Sequence, residues 1–199
     1  KHLGQHFLHD TTYCQRIVDA FNADHKAIHA IEVGPGAGAI TELLFQRADL
    51  HLYAIDYDTE SVEHLRSVYP EKGAQIIEAD FLHTDLAPYL KDGKISIIGN
   101  FPYNISSQIL FKVYHERDKV QEVIGMFQKE VAKRIAGHPG SKTYGILSVL
   151  LQAFYNVEYL FSVPPGAFLP PPKVESGVIQ LTRNTTRQLD CDEKRFLTV

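Results

Sequence analysis

The sequence predicts an α/β fold: a mostly parallel sheet with helices on both faces and an antiparallel hairpin at one edge. Three observations carry this. Short apolar, β-branched runs alternate with segments of helical periodicity from residue 30 to residue 127. The first run leads straight into Gly34-Pro35-Gly36-Ala37-Gly38, a glycine-rich turn between a strand and a helix. Two further strand-like runs, Tyr155 to Val163 and Val174 to Thr182, lie next to each other in sequence without a helix between them.

Residues 1–10 read as irregular, with Phe7 and Leu8 as apolar anchors. Asp10 or Thr11 can cap a helix from about Thr12 to Phe21, in which Ile17, Val18 and Phe21 share a face. Ala30 to Val33 is the first strand, and a helix of about Ala39 to Arg47 follows the glycine turn. Leu50 to Ile55 is the second strand, ending at Asp56; Thr59 caps a helix to about Tyr69. Ala74 to Glu78 is the third strand, ending Ala79-Asp80-Phe81. Ile95 to Ile98, buried and β-branched, is the fourth and stops at Gly99. A helix from Ser106 to His115 leads to the fifth strand, Glu122 to Phe127. Lys129 to Ala136 and Ile146 to Phe154 are helices. The closing strands are joined through a proline-rich connection, Pro164-Pro165 and Pro170-Pro171-Pro172. Arg183 to Asp190 is a polar linker, and Asp192 to Leu197 reads as the first turns of a further helix. Residues 1–183 are thus expected to form one domain, and 184–199 a linker and the start of a small helical one. The chain begins without Met and reads as a portion of a longer protein.

The chain has 199 residues, 44% hydrophobic and 22% charged, as in a water-soluble globular domain. No apolar run approaches the roughly 18 residues that span a bilayer, and the opening Lys-His-Leu-Gly-Gln-His has no signal-peptide core. Cys14 and Cys191 are far apart and without metal spacing, so a reducing, cytoplasmic setting is expected and no metal site. The net charge of −4 argues against a nucleic-acid partner, because phosphate binders usually carry a basic surplus.

The strand tips carry the chemistry. Pro102 has no backbone donor and restricts Phe101, so Gly99-Asn100-Phe101-Pro102-Tyr103 is a stiff turn. It presents one amide (Asn100), carbonyls without ladder partners, and one aromatic plane (Tyr103). These can hold a flat ring bearing an amine, the amine donating to the Asn100 oxygen and to a main-chain carbonyl. The plainer reading is a strand-to-helix turn with a capping Asn. Glu32 before the glycine turn, and the early third glycine, disfavour a dinucleotide pyrophosphate there; a cationic ligand tolerates the acid better. Asp56, 22 residues after Gly34, suits ribose hydroxyls, and Asp80 suits an exocyclic amine of adenine. Either acid singly is equally a loop cap. Lys129, Lys133 and Arg134, at helical spacing, form a solvated face or a phosphate-contacting patch that Lys142 and Lys173 extend.

Several stretches resemble the ribosomal RNA adenine N6,N6-dimethyltransferases over nearly the whole chain: Gly4-Gln5-His6-Phe7-Leu8, Glu32 to Gly38, Asp80, and Asn100 to Ser106. Gln128-Lys129-Glu130-Val131, Tyr144 to Val149, and Phe168-x-Pro170-x-Pro172-Lys173-Val174-Glu175-Ser176 are the more diagnostic ones. The resemblance implies a Rossmann-like class I S-adenosylmethionine-dependent methyltransferase fold, with S-adenosylmethionine as methyl donor. It implies donor contacts from His6, Leu8, Gly34, Gly36, Asp56, Asp80 and Asn100, and a monomer. The implied target is two adjacent adenosines near the 3′ end of small-subunit (16S) ribosomal RNA, in the 30S pre-ribosomal particle. The family tends to have Asn at position 6, Glu at 56, and Leu or Ile at 101, where this chain has His6, Asp56 and Phe101. On this reading Asn100 and the Pro102 carbonyl hold the reacting amine, Tyr103 stacks on the base, and Phe168 covers its opposite face. For Phe168 the competing expectation is a core anchor beside rigid prolines. A large-subunit adenine methyltransferase of the antibiotic-resistance type, a non-catalytic nucleic-acid-binding relative and a nicotinamide oxidoreductase are the alternatives.

Overall fold

A computed structural model describes residues 6–21, 28–186 and Phe196. The strands are β1 (Phe7–Leu8), β2 (Ile28–Val33), β3 (Leu50–Asp56), β4 (Ile76–Glu78), β5 (Ile95–Asn100), β6 (Val120–Gln128), β7 (Tyr155–Val163), β8 (Phe168–Leu169) and β9 (Ser176–Arg183). The α-helices are α1 (Thr11–Asp19), α2 (Ala39–Phe45), α3 (Thr59–Val68), α4 (Ser106–His115), α5 (Lys129–Ile135) and α6 (Ile146–Phe154). Seven strands make one sheet in the order β4-β3-β2-β5-β6-β9-β7. The β2–β6 pairs are parallel, whereas β9 runs antiparallel to both β6 and β7. This is the expected mostly parallel sheet with an antiparallel edge.

Period-two alternation sends successive side chains to opposite faces. Ile31 and Val33 of β2, Ile95 and Ile97 of β5 and Val123 of β6 face α4, α5 and α6, packing on Leu110, Ile135 and Leu151. Ala30, Ile98, Ile124 and Met126 face α1 and α2, packing on Ile17, Val18 and Leu44. Both faces of the central strands are therefore dry, which is why they read as continuous apolar runs.

Several expectations change in detail, most of them by a few residues at the end of an element. Asp58, not Thr59, caps α3, its carboxylate accepting from the Ser61 amide at 3.1 Å. The third strand starts only at Ile76, because a 3₁₀ turn opened by Pro70 takes residues 70–75. The fourth strand runs through Gly99 to Asn100, which pairs with Met126 of β6. Gly99 keeps that extension possible: a Cβ there would lie 2.6 Å from the Val33 carbonyl oxygen. Residues 6–10 are not wholly irregular either. Phe7 pairs with Leu169 and Leu8 with Phe168, so the N-terminal segment straps across the molecule. Of the linker and helix expected after residue 183, residues 187–195 and 197–199 lie outside the described residues.

Candidate active site

Strand order, not sequence order, builds the site. The chain steps from β2 outward to β3 and β4, then returns to place β5 on the other side of β2. Ligands of open α/β sheets bind at the carboxyl ends of strands where the order reverses in this way. A cavity of about 320 Å³ lies there, lined by the Gly34–Ala37 turn, Asp56, Asp80, the Asn100–Ile105 turn and the His6–Leu8 strap. That is within the range of small-ligand sites, roughly 300–1,000 Å³. The cavity connects the glycine turn with Asn100, as the amine-holding reading requires.

Asn100 has a defined orientation. Its Nδ2 donates to the His6 carbonyl at 3.0 Å, which leaves Oδ1 as the acceptor end of the amide. A carboxamide donates at one end and accepts at the other. The Pro102 carbonyl accepts from the Ile105 amide at 3.1 Å and keeps its second lone pair. Tyr103 lines the cavity with its hydroxyl 2.6 Å from Ser176 Oγ, while its carbonyl accepts from Ser106 Oγ at 3.1 Å. Burial pushes the Tyr103 phenol above its ordinary pKa against the opposing pull of the Ser176 bond.

The strap brings in His6 and Leu8. His6 Nδ1 donates to the Pro170 carbonyl at 2.8 Å, and its ring lies 6.0 Å from that of Tyr103, centroid to centroid. Leu8 is nearly buried and lines the cavity. Gly36 takes φ +53°, and a Cβ there would meet the Phe7 ring at 2.9 Å, so the turn and the strap touch only because this residue is glycine.

The acids differ. Asp56 is buried; its two carboxylate oxygens accept from the Gly36 amide (3.2 Å) and the Asp58 amide (3.0 Å), so it also shapes the glycine turn. Desolvation outweighs these bonds and raises its pKa. Asp80 is half exposed and accepts from the Leu82 amide (2.9 Å) and His83 Nδ1 (2.7 Å). Desolvation works to raise its pKa, but these bonds prevail and hold it below the ordinary value. Glu32, behind the turn, is 1% exposed, and its Oε2 finds no hydrogen-bond partner among the described residues. Burial, with the Asp56 charge nearby, pushes it up to about 8. Burial holds this acid in its neutral form, and a positive charge brought close would favour its ionisation.

Phe168 corrects an expectation. It is 2% exposed, packs in the core with Leu8, Val163 and Ala167, and does not line the cavity. Alternation along β8 turns Phe168 inward and Leu169 outward, the latter 67% exposed. The core-anchor expectation describes it; the stacking one does not. Tyr57, half exposed in the cavity wall, was missed. Its only signal is an aromatic directly after a strand-ending acid. Of the cations, Lys129 pairs with Glu175 at 2.6 Å, and Lys133 lies 4.0 Å from Glu130. Among the described residues no group of three His, Cys, Asp or Glu side chains is placed to hold a metal ion. No described helix is long and apolar enough to cross a membrane.

A family model described as ribosomal RNA adenine dimethylase matches residues 1–199. The chain belongs to the ribosomal RNA adenine dimethylase family. Membership in this dimethylase family overrides the expectation drawn from the net charge of −4, because a sum over the whole surface says nothing of one local patch. Among its relatives, a ribosomal RNA small subunit methyltransferase A from Cytophaga hutchinsonii is 53% identical over 199 residues, which is all of this chain and 77% of the relative. A relative of the same name from Porphyromonas gingivalis is 50% identical over 200 residues, again 77% of its length. Among solved structures, a dimethyladenosine transferase from Plasmodium falciparum superposes with a TM-score of 0.77 at 26% identity. That match covers 92% of this chain and 65% of that one, just under two thirds of its length. The 23S rRNA methyltransferase ErmE gives a TM-score of 0.78 at 25% identity, covering 93% of this chain and 72% of its own.

Proposed function

We propose that the protein transfers methyl groups from S-adenosylmethionine to the N6 amines of two adjacent adenosines near the 3′ end of small-subunit ribosomal RNA, in the 30S pre-ribosomal particle, giving N6,N6-dimethyladenosines. The observation that carries this is the Asn100 amide. Its donor end is tied to the His6 carbonyl and its acceptor end is left at the wall of the cavity shared with the glycine turn. Support for the small-subunit target comes from relatives of that name at 50–53% identity over the full chain. The likeness to ErmE, a 23S rRNA methyltransferase, is at half that identity and speaks for rRNA methylation in general.

The residues present fit the donor. A buried Glu32 with one carboxyl oxygen unpartnered suits a cationic ligand, Asp56 can accept from ribose hydroxyls, and Asp80 lines the same cavity. When bound, S-adenosylmethionine supplies an already activated methyl group on a sulfonium, so the protein has only to position and to exclude water. An adenine amine is a weak nucleophile because its lone pair is delocalised into the ring. Accepting hydrogen bonds from its two N–H groups on Asn100 Oδ1 and the free lone pair of the Pro102 carbonyl favours the pyramidal nitrogen that attacks. Tyr103 supplies a stacking plane, on the order of 1–3 kcal/mol per base. No strong base is needed, since the nitrogen's proton becomes acidic only once the methyl has arrived. The second methylation has a single amine proton, so one of the two acceptors is then dispensable.

The test is transfer of tritiated methyl to under-methylated small subunits, followed by nucleoside analysis. Dimethyladenosine in small-subunit RNA is the expected result. In a parallel arm with purified large subunits, labelling confined to those particles would replace this reading with the antibiotic-resistance type.

A further inference from the structure

We propose that Ser176 is a positioning residue for the target base, holding the Tyr103 ring in its stacking plane before the adenine arrives. This rests on the function proposed above and extends it to a residue outside the cavity. Ser176 is 0% exposed, and its hydroxyl lies 2.6 Å from that of Tyr103, 73 residues away. Its backbone is anchored on both sides. As the first residue of β9 it stands opposite Gln128 of β6 on one side and Val163 of β7 on the other. The next peptide back is held too, with the Lys129 amide donating to the Glu175 carbonyl at 2.9 Å.

Tyr103 needs such an anchor, because it lies in the turn between β5 and α4 and outside both. Ser106 Oγ fixes its carbonyl at 3.1 Å, but that bond leaves the side-chain torsions open. The Ser176 bond fastens the far end of the ring, so backbone and phenol are each pinned. Its one aromatic neighbour among the described residues, the tilted His6 ring at 6.0 Å, touches one side of the ring and does not tie its phenol end. A stacking plane ordered in advance spares the base the loss of that freedom on binding. The Tyr103 hydroxyl has no other assigned work: stacking uses the face of the ring, not its edge.

Ser176→Ala and Tyr103→Phe remove the same bond from opposite ends, and the second keeps the ring. Steady-state and single-turnover methyl transfer to under-methylated small subunits, calorimetric donor titration and thermal unfolding are measured for wild type, both variants and the double variant. Each single variant is expected to lose roughly three- to ten-fold in kcat/KM for RNA, the size of one hydrogen bond, through KM for RNA more than through kcat. Donor affinity stays within about two-fold, and the double variant is no worse than either single one. Losses that add, wild-type RNA kinetics in both variants, or a loss confined to Tm and donor affinity would overturn the assignment. Absence of transfer by the wild type would overturn the functional reading and this one together, whereas wild-type transfer with undamaged variants overturns this one alone.

Discussion

Asn100→Asp separates orientation from acceptor strength at the candidate active site. A carboxylate is a stronger acceptor than an amide, so if accepting amine protons were all that position 100 did, the variant would be at least as fast. The structure predicts the opposite. Nδ2 donates to the His6 carbonyl at 3.0 Å; in the variant an oxygen would face that carbonyl with no proton between them. The tie is lost and a half-buried carbonyl is left without its partner, at a cost of about 1–3 kcal/mol. Relief comes by rotating the carboxylate, which misdirects the remaining acceptor, by moving the strap that lines the donor cavity, or by protonating the carboxylate, which removes the advantage in acceptor strength. Loss of one preorganised group at a reacting centre is worth about 10²–10³ in rate, and that is the expected fall in single-turnover methyl transfer. Asn100→Ala, which lacks the acceptor as well, should approach complete loss with donor binding weakened only modestly. The assay is rapid-quench transfer of tritiated methyl to under-methylated small subunits, with donor affinity by calorimetry. Transfer by Asn100→Asp at or above the wild-type rate would refute the orientation argument.

Burial raises the Glu32 pKa from 4.5 to about 8, so the fold favours its neutral form. Its contribution to stability is complete below about pH 4.5 and is lost as pH rises through about 8. Glu32→Gln should therefore raise Tm at pH 8, leave it unchanged near pH 4, and weaken binding of the cationic donor; unfolding scans across that range with a calorimetric titration check all three. Phe168→Ala should cost about 3–5 kcal/mol as a core truncation, a fall in Tm of about 10 °C. A variant with unchanged Tm but impaired RNA turnover would restore the stacking role. Gly99→Ala puts a Cβ 2.6 Å from the Val33 carbonyl, just before the glycine turn. Tm and donor affinity should fall together, and loss of one without the other would separate the strand contact from the cavity.

Much of the fold was legible because its signals are local. Helices Ser106–His115 and Ile146–Phe154 and strand Tyr155–Val163 follow from periodicity alone, and all three have the expected bounds. Boundaries slipped where a neighbouring side chain competed for the same job: Asp58 outbid Thr59 for the α3 cap, and Pro70 delayed β4. The β1–β8 pairing was illegible, since two residues carry no period and their partners lie some 160 positions away. Phe168 shows the same limit. Its composition of neighbours allowed either a stacking ring or a core anchor, and only the phase of a two-residue strand decided which way it points.

By itself the sequence determined which chemical groups end the strands: glycines after β2, carboxylates after β3 and β4, an amide and an aromatic after β5. Those choices are written in short-range steric and hydrogen-bonding preferences. Tertiary structure alone decided that β5 lies beside β2, that the His6 carbonyl takes the Asn100 amide from 94 residues away, and that Ser176 reaches Tyr103. Such contacts depend on strand order and register, which follow from burying both sheet faces at once and leave no mark on any local stretch of chain.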